Sequence, residues 1–243
     1  MDLSIIIPAY NEEKLIAKTI GKVQTAVSPL HEQGITTELI VCDNNSTDNT
    51  AVLAREAGAT IVFEPDNHIA KARNTGAAHA QGQWFLFVDA DTYPSPELMT
   101  DIHQAMQKPD VLGCSSTIKV SDAPFWYRLN LEGQNINLRL FKTLLGLFCL
   151  CRADVFAEIG GFNTNLYAFE DLDFVNRLKK YGRKTNQKYL ILHKHPVTTS
   201  GRKGILYNRW EMTNSFITAL YYFLTNQKPE NPEKMPFWYD GRR

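Results

Sequence analysis

Short apolar runs alternate with longer stretches of helical spacing through residues 1–94. Leu3 to Ile7 is a β-branched run that stops at Pro8, which predicts a strand. Residues 12–27 carry Leu15, Ile16, Ile20 and Val23 at helical spacing. Strand-like 38–42 precedes a helical stretch at 48–57 that ends at Gly58, and strand-like 60–63 precedes another at 69–80. Trp84 to Val88 is apolar throughout, as in a strand covered on both faces. Strands and helices in strict alternation predict an α/β protein with a mostly parallel sheet, flanking helices and right-handed crossovers. Ligands of such sheets bind beyond the carboxyl ends of the strands.

The second half is less regular. Its pattern predicts a helix at 95–107, an extended stretch at 111–120 containing Gly113, and a helix at 125–141 despite Gly133. A strand at 147–152 and a helical turn at 155–159, stopped by Gly160-Gly161, come next. A helix from 170 to 181 stops at Gly182, a strand covers 188–192, and a helix covers 205–224. No Gly/Ser linker interrupts the chain, so 1–243 is read as one domain. Its expected parts are a ligand-binding half at 1–94, a second half at 95–225 and an irregular tail at 226–243. Pro-Phe-Trp-Tyr occurs at 124–127 and at 236–239 with nothing repeated around it, so chance explains it.

Composition removes several classes. The 243 residues are 44% hydrophobic, enough for a core without a disulfide or metal staple. Lys plus Arg (26) balances Asp plus Glu (26), and this zero net charge argues against nucleic acid as a partner. Cys42, Cys114, Cys149 and Cys151 form no Cys-x-x-Cys pair, and three of them sit in apolar runs, so they are read as packing in a reducing compartment. Asp2 and Pro8 argue against a secretory signal. No uncharged apolar run approaches the roughly 20 residues of a membrane span. A soluble cytoplasmic protein is expected, with contact at the inner membrane surface left open; no basic amphipathic helix is evident.

The acidic residues carry the chemistry. Asp89-Ala90-Asp91 follows the most apolar strand, where two carboxylates can meet Mg or Mn directly or through water. A solvated acidic turn is the bland alternative, but the preceding strand favours function. Asp43 opens Asp-Asn-Asn-Ser-Thr-Asp after another strand and could accept hydrogen bonds from a base or ribose, or form an Asx turn. Asp48 is better placed as the following helix cap. Residues 70, 73, 74 and 77 share a helix face, so Arg73 looks inward and Lys71 outward. A tie to the acidic rim and a contact to an acidic ligand are equally good readings of Arg73. Glu170, Asp171 and Asp173 open a helix, which fits dipole capping as well as a general base.

Together these segments resemble one family. Ser-Ile-Ile-Ile-Pro-Ala-Tyr-Asn-Glu-Glu, Cys-Asp-Asn-Asn-Ser-Thr-Asp, Ala-Arg-Asn-Thr-Gly, Val-Asp-Ala-Asp-Thr, Gly-Gly-Phe and Phe-Glu-Asp-Leu-Asp-Phe stand in the order found in inverting family 2 glycosyltransferases with the GT-A fold. The resemblance covers residue 3 to about 204. It implies a nucleotide-diphospho-sugar donor, with Pro8, Ala9, Tyr10 and Glu12 lining the base and ribose pocket and Asp43 binding the nucleoside. Arg73 would sit near the diphosphate, Asp89 with Ala90 at the donor sugar or ribose, and Asp91 on a divalent cation, Mg or Mn. Asp171 would be the catalytic base, with Glu170 beside it. His195, or nearly as well His193, would join the cation, and Arg202 would touch the diphosphate from a mobile loop at 196–204. The acceptor would be a carbohydrate or a lipid-linked hydroxyl. The Gln-x-x-Arg-Trp motif of processive synthases is lacking; Asn208-Arg209-Trp210 is a partial echo, so a single transfer is expected. A nucleotidyltransferase would want a glycine-rich basic loop, and residues 8–14 hold no glycine. A non-catalytic binding module is disfavoured by the intact acidic pairs.

Overall fold

The structure, a computed structural model, describes residues 1–141 and 148–207 together with positions 210, 211, 214 and 218. The elements run β1 (Leu3–Ala9), α1 (Ile16–Ala26), α2 (Ser28–Glu32), β2 (Thr37–Asp43), α3 (Thr50–Glu56), β3 (Thr60–Phe63), α4 (Ile69–His79) and β4 (Trp84–Val88). They continue with β5 (Thr92–Tyr93), α5 (Pro96–Met106), β6 (Val111–Ser121), α6 (Phe125–Phe141), β7 (Phe148–Arg152), α7 (Ala153–Glu158), α8 (Glu170–Thr185), β8 (Lys188–Ser200) and α9 (Arg202–Leu206).

One sheet of eight strands, ordered β3-β2-β1-β4-β7-β6-β8-β5, joins both halves. Strands β1 to β4 are mutually parallel, with Ile5 opposite Leu39 and Leu86. β7 enters antiparallel between β4 and β6, and β5 pairs antiparallel with β8, so the sheet is mixed. Alternate residues of β1 feed different packing layers. Leu3, Ile5 and Ile7 meet α1 and α5, whereas Ile6 packs with Ala70, Ala77 and the Phe85–Phe87–Phe156–Phe174 aromatics beneath α4 and α8. Period-2 alternation with both faces covered explains why the strand is apolar at nearly every position. Gly76 lets α4 approach the sheet, because a Cβ there would lie 2.5 Å from Ile6 Cγ2. All four cysteines are buried free thiols, and burial pushes those of Cys42 and Cys149 up to about 12, which leaves them inert.

Two expectations need correction. The helix opening at Glu170 does not stop at Gly182 but runs to Thr185, and Asn186 ends it with φ 56°. Gly182 serves close packing instead: a Cβ there would meet Gln187 O at 2.6 Å and Leu112 Cδ2 at 2.7 Å. The strand read as 188–192 extends to Ser200, so 196–200 belongs to the sheet and is not a loop. Leu192 pairs with Ser116 and Val197 with Ile118, so the intervening residues bulge, and that bulge hides the strand's period. α2, with Pro29 in its first turn, lies between α1 and β2, where the hydrophobic pattern predicts no element. Most of the helix expected at 205–224, and the tail at 226–243, lie outside the described residues. Among the described residues no helix is long and apolar enough to cross a membrane.

Candidate active site

The loops after β1 and β2 are stitched together by their polar residues. Asn11, at φ 51°, accepts from Thr47 N at 2.8 Å, and its own N–H donates to Ser46 Oγ at 3.0 Å. Glu12 N donates to Thr50 Oγ1 at 2.7 Å, and Glu13 N to Asp48 Oδ2 at 3.2 Å. Asparagine tolerates the left-handed backbone these turns need, which accounts for Asn11 and for Asn45 at φ 63°. Asp43 ends β2 opposite Ala9 and is buried, and its Oδ1 accepts from Ser46 N at 3.2 Å. Asp48 Oδ1 accepts from Thr50 N at 2.9 Å, but the cap of α3 is Asn49, one residue later than expected, and its side chain makes no capping bond. Pro8, Ala9 and Tyr10 therefore border Asp43 at the carboxyl ends of neighbouring strands.

Arg73 fastens the centre of the site. It is 1% exposed on α4, donates from Nη1 to Glu170 Oε1 at 2.7 Å and from Nη2 to Asp89 Oδ1 at 3.0 Å, and lies over the Phe162 ring. Burial works against its charge, but Asp89, Glu170 and Asp171 outweigh it and raise its pKa. The tie to the acidic rim is thus the contact present, and it joins the end of β4 to the start of α8. Lys71 points outward to Asp66. Asn74 brackets Phe162, donating to its O at 2.8 Å and accepting from its N at 2.9 Å. Gly161, at φ 62°, leaves room for this contact, since a Cβ there would stand 2.7 Å from Asn74 Oδ1.

Glu170 and Asp171 differ in surroundings. Glu170 is buried against Arg73; burial and then the charge of Asp171 push its carboxyl up to about 7, with Arg73 pulling the other way. Asp171 is half-buried at the mouth of α8, where its Oδ1 accepts from Leu172 N at 2.7 Å. Phe169 before them sits at φ 63°, a sparsely populated conformation for a bulky side chain, secured by Asp173 N donating to Phe169 O at 3.0 Å. Glu170, Asp171 and Asp173 in the first turn match the positive end of the helix dipole.

The second arginine closes the other side. Arg202, the first residue of α9, grips both oxygens of Glu12 at 2.8 and 2.9 Å, and its Nη2 stands 3.6 Å from Asp91 Oδ2. Ser200 N donates to Asp91 O at 2.9 Å, and Thr199 pairs with Thr92, so the end of β8 carries Arg202 to the Asp89-Ala90-Asp91 turn. Thr19 Oγ1 holds that turn from below through Ala90 O.

His195 departs from expectation. Its Nδ1 lies 2.8 Å from Asp101 Oδ2 on α5, because the bulge in β8 turns it toward that helix rather than to Asp91. Among the described residues no three of His, Cys, Asp and Glu converge into a protein-only cage. Mg or Mn ordinarily takes one or two carboxylates plus phosphate oxygens, and Asp91, with its guanidinium neighbour withdrawn, fits that share. His68 went unnoticed in the sequence. It precedes α4, donates its backbone N–H to Asn44 Oδ1 at 3.2 Å and lies tilted against the Tyr167 ring at 4.5 Å, bridging the Asp43 loop and the segment before α8. Burial, more than the nearby Lys71, lowers its pKa, and no sequence pattern marked it.

Protein RfbJ of Shigella flexneri is 35% identical over 114 residues, 46% of this chain and 74% of that protein. The 4,4'-diaponeurosporenoate glycosyltransferase of Staphylococcus aureus is 28% identical over 199 residues, covering 78% of this chain. The chain spans about half that relative's length, 48%. A mannosyltransferase from Pyrobaculum calidifontis, solved with GDP-Man and Mn2+, superposes with a TM-score of 0.67 at 18% identity over 98% of this chain and 68% of its own. This superposition establishes the α/β mixed-sheet architecture of GT-A glycosyltransferases. The family model for glycosyl transferase family 2 matches residues 4–210, and the chain is a member of that glycosyltransferase family.

Proposed function

We propose that the chain transfers a sugar from a nucleotide-diphospho-sugar to an acceptor hydroxyl with inversion. The observation that carries this reading is the Arg73 clasp, which holds Asp89 and Glu170 on opposite sides of one guanidinium. The clasp sets the Asp89-Ala90-Asp91 turn beside the mouth of α8. Relatives named as glycosyltransferases, and a neighbour solved with GDP-Man and Mn2+, support the donor class.

Pro8, Ala9, Tyr10 and Asp43 border the place for the nucleoside, and Asp89 with Ala90 the donor sugar or ribose. A divalent cation on Asp91 would supply charge neutralisation for the departing diphosphate. Arg202 would leave Glu12 to meet the same diphosphate, exchanging one acidic partner for another. Asp171, half-buried at the mouth of its helix, accepts the proton of the acceptor hydroxyl as its oxygen attacks the anomeric carbon from the face opposite the nucleotide. Glu170, bound to Arg73, positions that loop. The acceptor, a carbohydrate or a lipid-linked hydroxyl, would enter from the half formed by residues 95–225.

Two measurements test this. The anomeric configuration of the product should be opposite to that of the donor; retention would contradict direct displacement. Asp171→Asn should keep donor binding and lose transfer. Release of pyrophosphate would instead identify a nucleotidyltransferase, and no donor binding at all a non-catalytic module.

A further inference from the structure

Five of the eight large hydrophobic side chains exposed among the described residues belong to α6 and the segment from α9 onward. They are Phe125 (80% exposed), Leu129 (64%), Ile136 (56%), Ile205 (67%) and Trp210 (79%). At 100° per residue, Phe125, Leu129 and Ile136 fall within about 40° of one another around α6. They form a single outward stripe. The rotation of α6 is set by its other face, where Tyr127, Leu131 and Leu138 are buried. Asn135 locks that rotation, donating to Ile118 O and accepting from Ile118 N, both at 2.8 Å. Gly204 of α9 packs against the buried face of α6, since a Cβ there would stand 2.8 Å from the Tyr127 ring.

Arg128 and Arg139 are exposed on the same side of α6, with Glu132 between them. An apolar stripe bordered on one edge by arginines suits a helix lying in a membrane interface. There the arginine stems run along the apolar surface while the guanidinium groups reach phosphates. Charged residues inside the stripe's border fit a dimer core poorly.

We propose that the outward face of α6 docks onto the surface of an anionic phospholipid bilayer. Gly204 lies against Tyr127 in the first turn of α6, and Arg202, two residues earlier, stands 3.6 Å from Asp91, so α9 links that turn to the acidic turn. Docking through α6 would therefore hold the candidate site close to the headgroups. The proposal concerns binding alone and does not depend on the transferase reading.

The test is co-sedimentation of the full chain with phosphatidylcholine vesicles, with and without phosphatidylglycerol. The chain should sediment with the anionic vesicles, and less so as salt is raised. Leu129→Glu with Ile136→Glu should lower the bound fraction by roughly tenfold. Arg128→Glu with Arg139→Glu should abolish the preference for phosphatidylglycerol. Phe63→Glu, on the exposed β3 at the opposite edge of the sheet, should change nothing. Circular dichroism checks that each variant is folded. The proposal is overturned if the unmodified chain stays in the supernatant with both vesicle types. Equal sedimentation by a folded Leu129→Glu/Ile136→Glu variant would also overturn it. So would a concentration-dependent dimer that this variant abolishes, which would assign the stripe to a second copy of the chain.

Discussion

The two arginines that meet the acidic rim are held in opposite ways. Arg73 rises from the middle of α4, is sealed under Phe162 and has an acid at each end of its guanidinium. Arg202 opens a short helix at the end of β8 and turns both its nitrogens on Glu12, with Asp91 just beyond hydrogen-bond reach. The first is an internal brace between elements 97 residues apart in sequence. The second neutralises Glu12 beside Asp91, and it is the cation that an incoming diphosphate would draw away. Removing Arg73 should therefore damage the fold, and removing Arg202 should damage binding.

The largest effect is expected at Asp171, which the brace positions. Asp171→Asn should lower kcat roughly a thousandfold with donor affinity almost unchanged. Near-normal turnover would place the base elsewhere. Next comes Arg73→Ala. Stranding two carboxylates without their partner should cost about 3–5 kcal/mol in urea unfolding. If Arg73→Ala unfolded like the parent, the brace would be ornamental. Arg202→Ala is the counterpart: a loss of about 1–2 kcal/mol in stability, but roughly tenfold weaker donor binding by calorimetry. Equal behaviour of the two variants in both assays would erase the distinction.

A pH series sharpens the same contrast. The Glu170 carboxyl is pushed up to about 7, so between the ordinary carboxylate range and neutrality the folded chain binds more protons than the unfolded chain. Its contribution to stability therefore falls as pH rises through that window. Glu170→Gln should flatten this limb in melting curves recorded from about pH 5 to pH 8. The smallest effect is expected at His195, whose ring is engaged by Asp101. His195→Ala should leave cation affinity unchanged and shift Tm by a few degrees at most. A large loss of cation affinity would restore it to the metal site.

Much of this was legible in the sequence because the physics was local. The alternation of β1 to β4 with α1, α3 and α4 shows in hydrophobic period, and the strand ends were marked by Asp43 and by Asp89-Ala90-Asp91. The inward aim of Arg73 followed from helical spacing alone. What the sequence hid was long-range. A bulge inside β8 broke its period and disguised strand as loop, and it turned His195 to Asp101. The partner of Arg202 lies 190 residues away, and no spacing rule links it to Glu12. Sequence alone does not separate the outward stripe of α6 from core, because Leu131, Leu138 and Tyr127 make the helix apolar on its other face as well, and only burial tells the two apart.

The central claim is that acids carried by distant segments serve one donor, Asp91 in binding and Asp171 in transfer. Calorimetry with a panel of UDP- and GDP-linked sugars in the presence of Mn2+ addresses it most directly. The account predicts heat of binding for the parent and for Asp171→Asn, and none for Asp91→Ala. Undiminished binding by Asp91→Ala would contradict it.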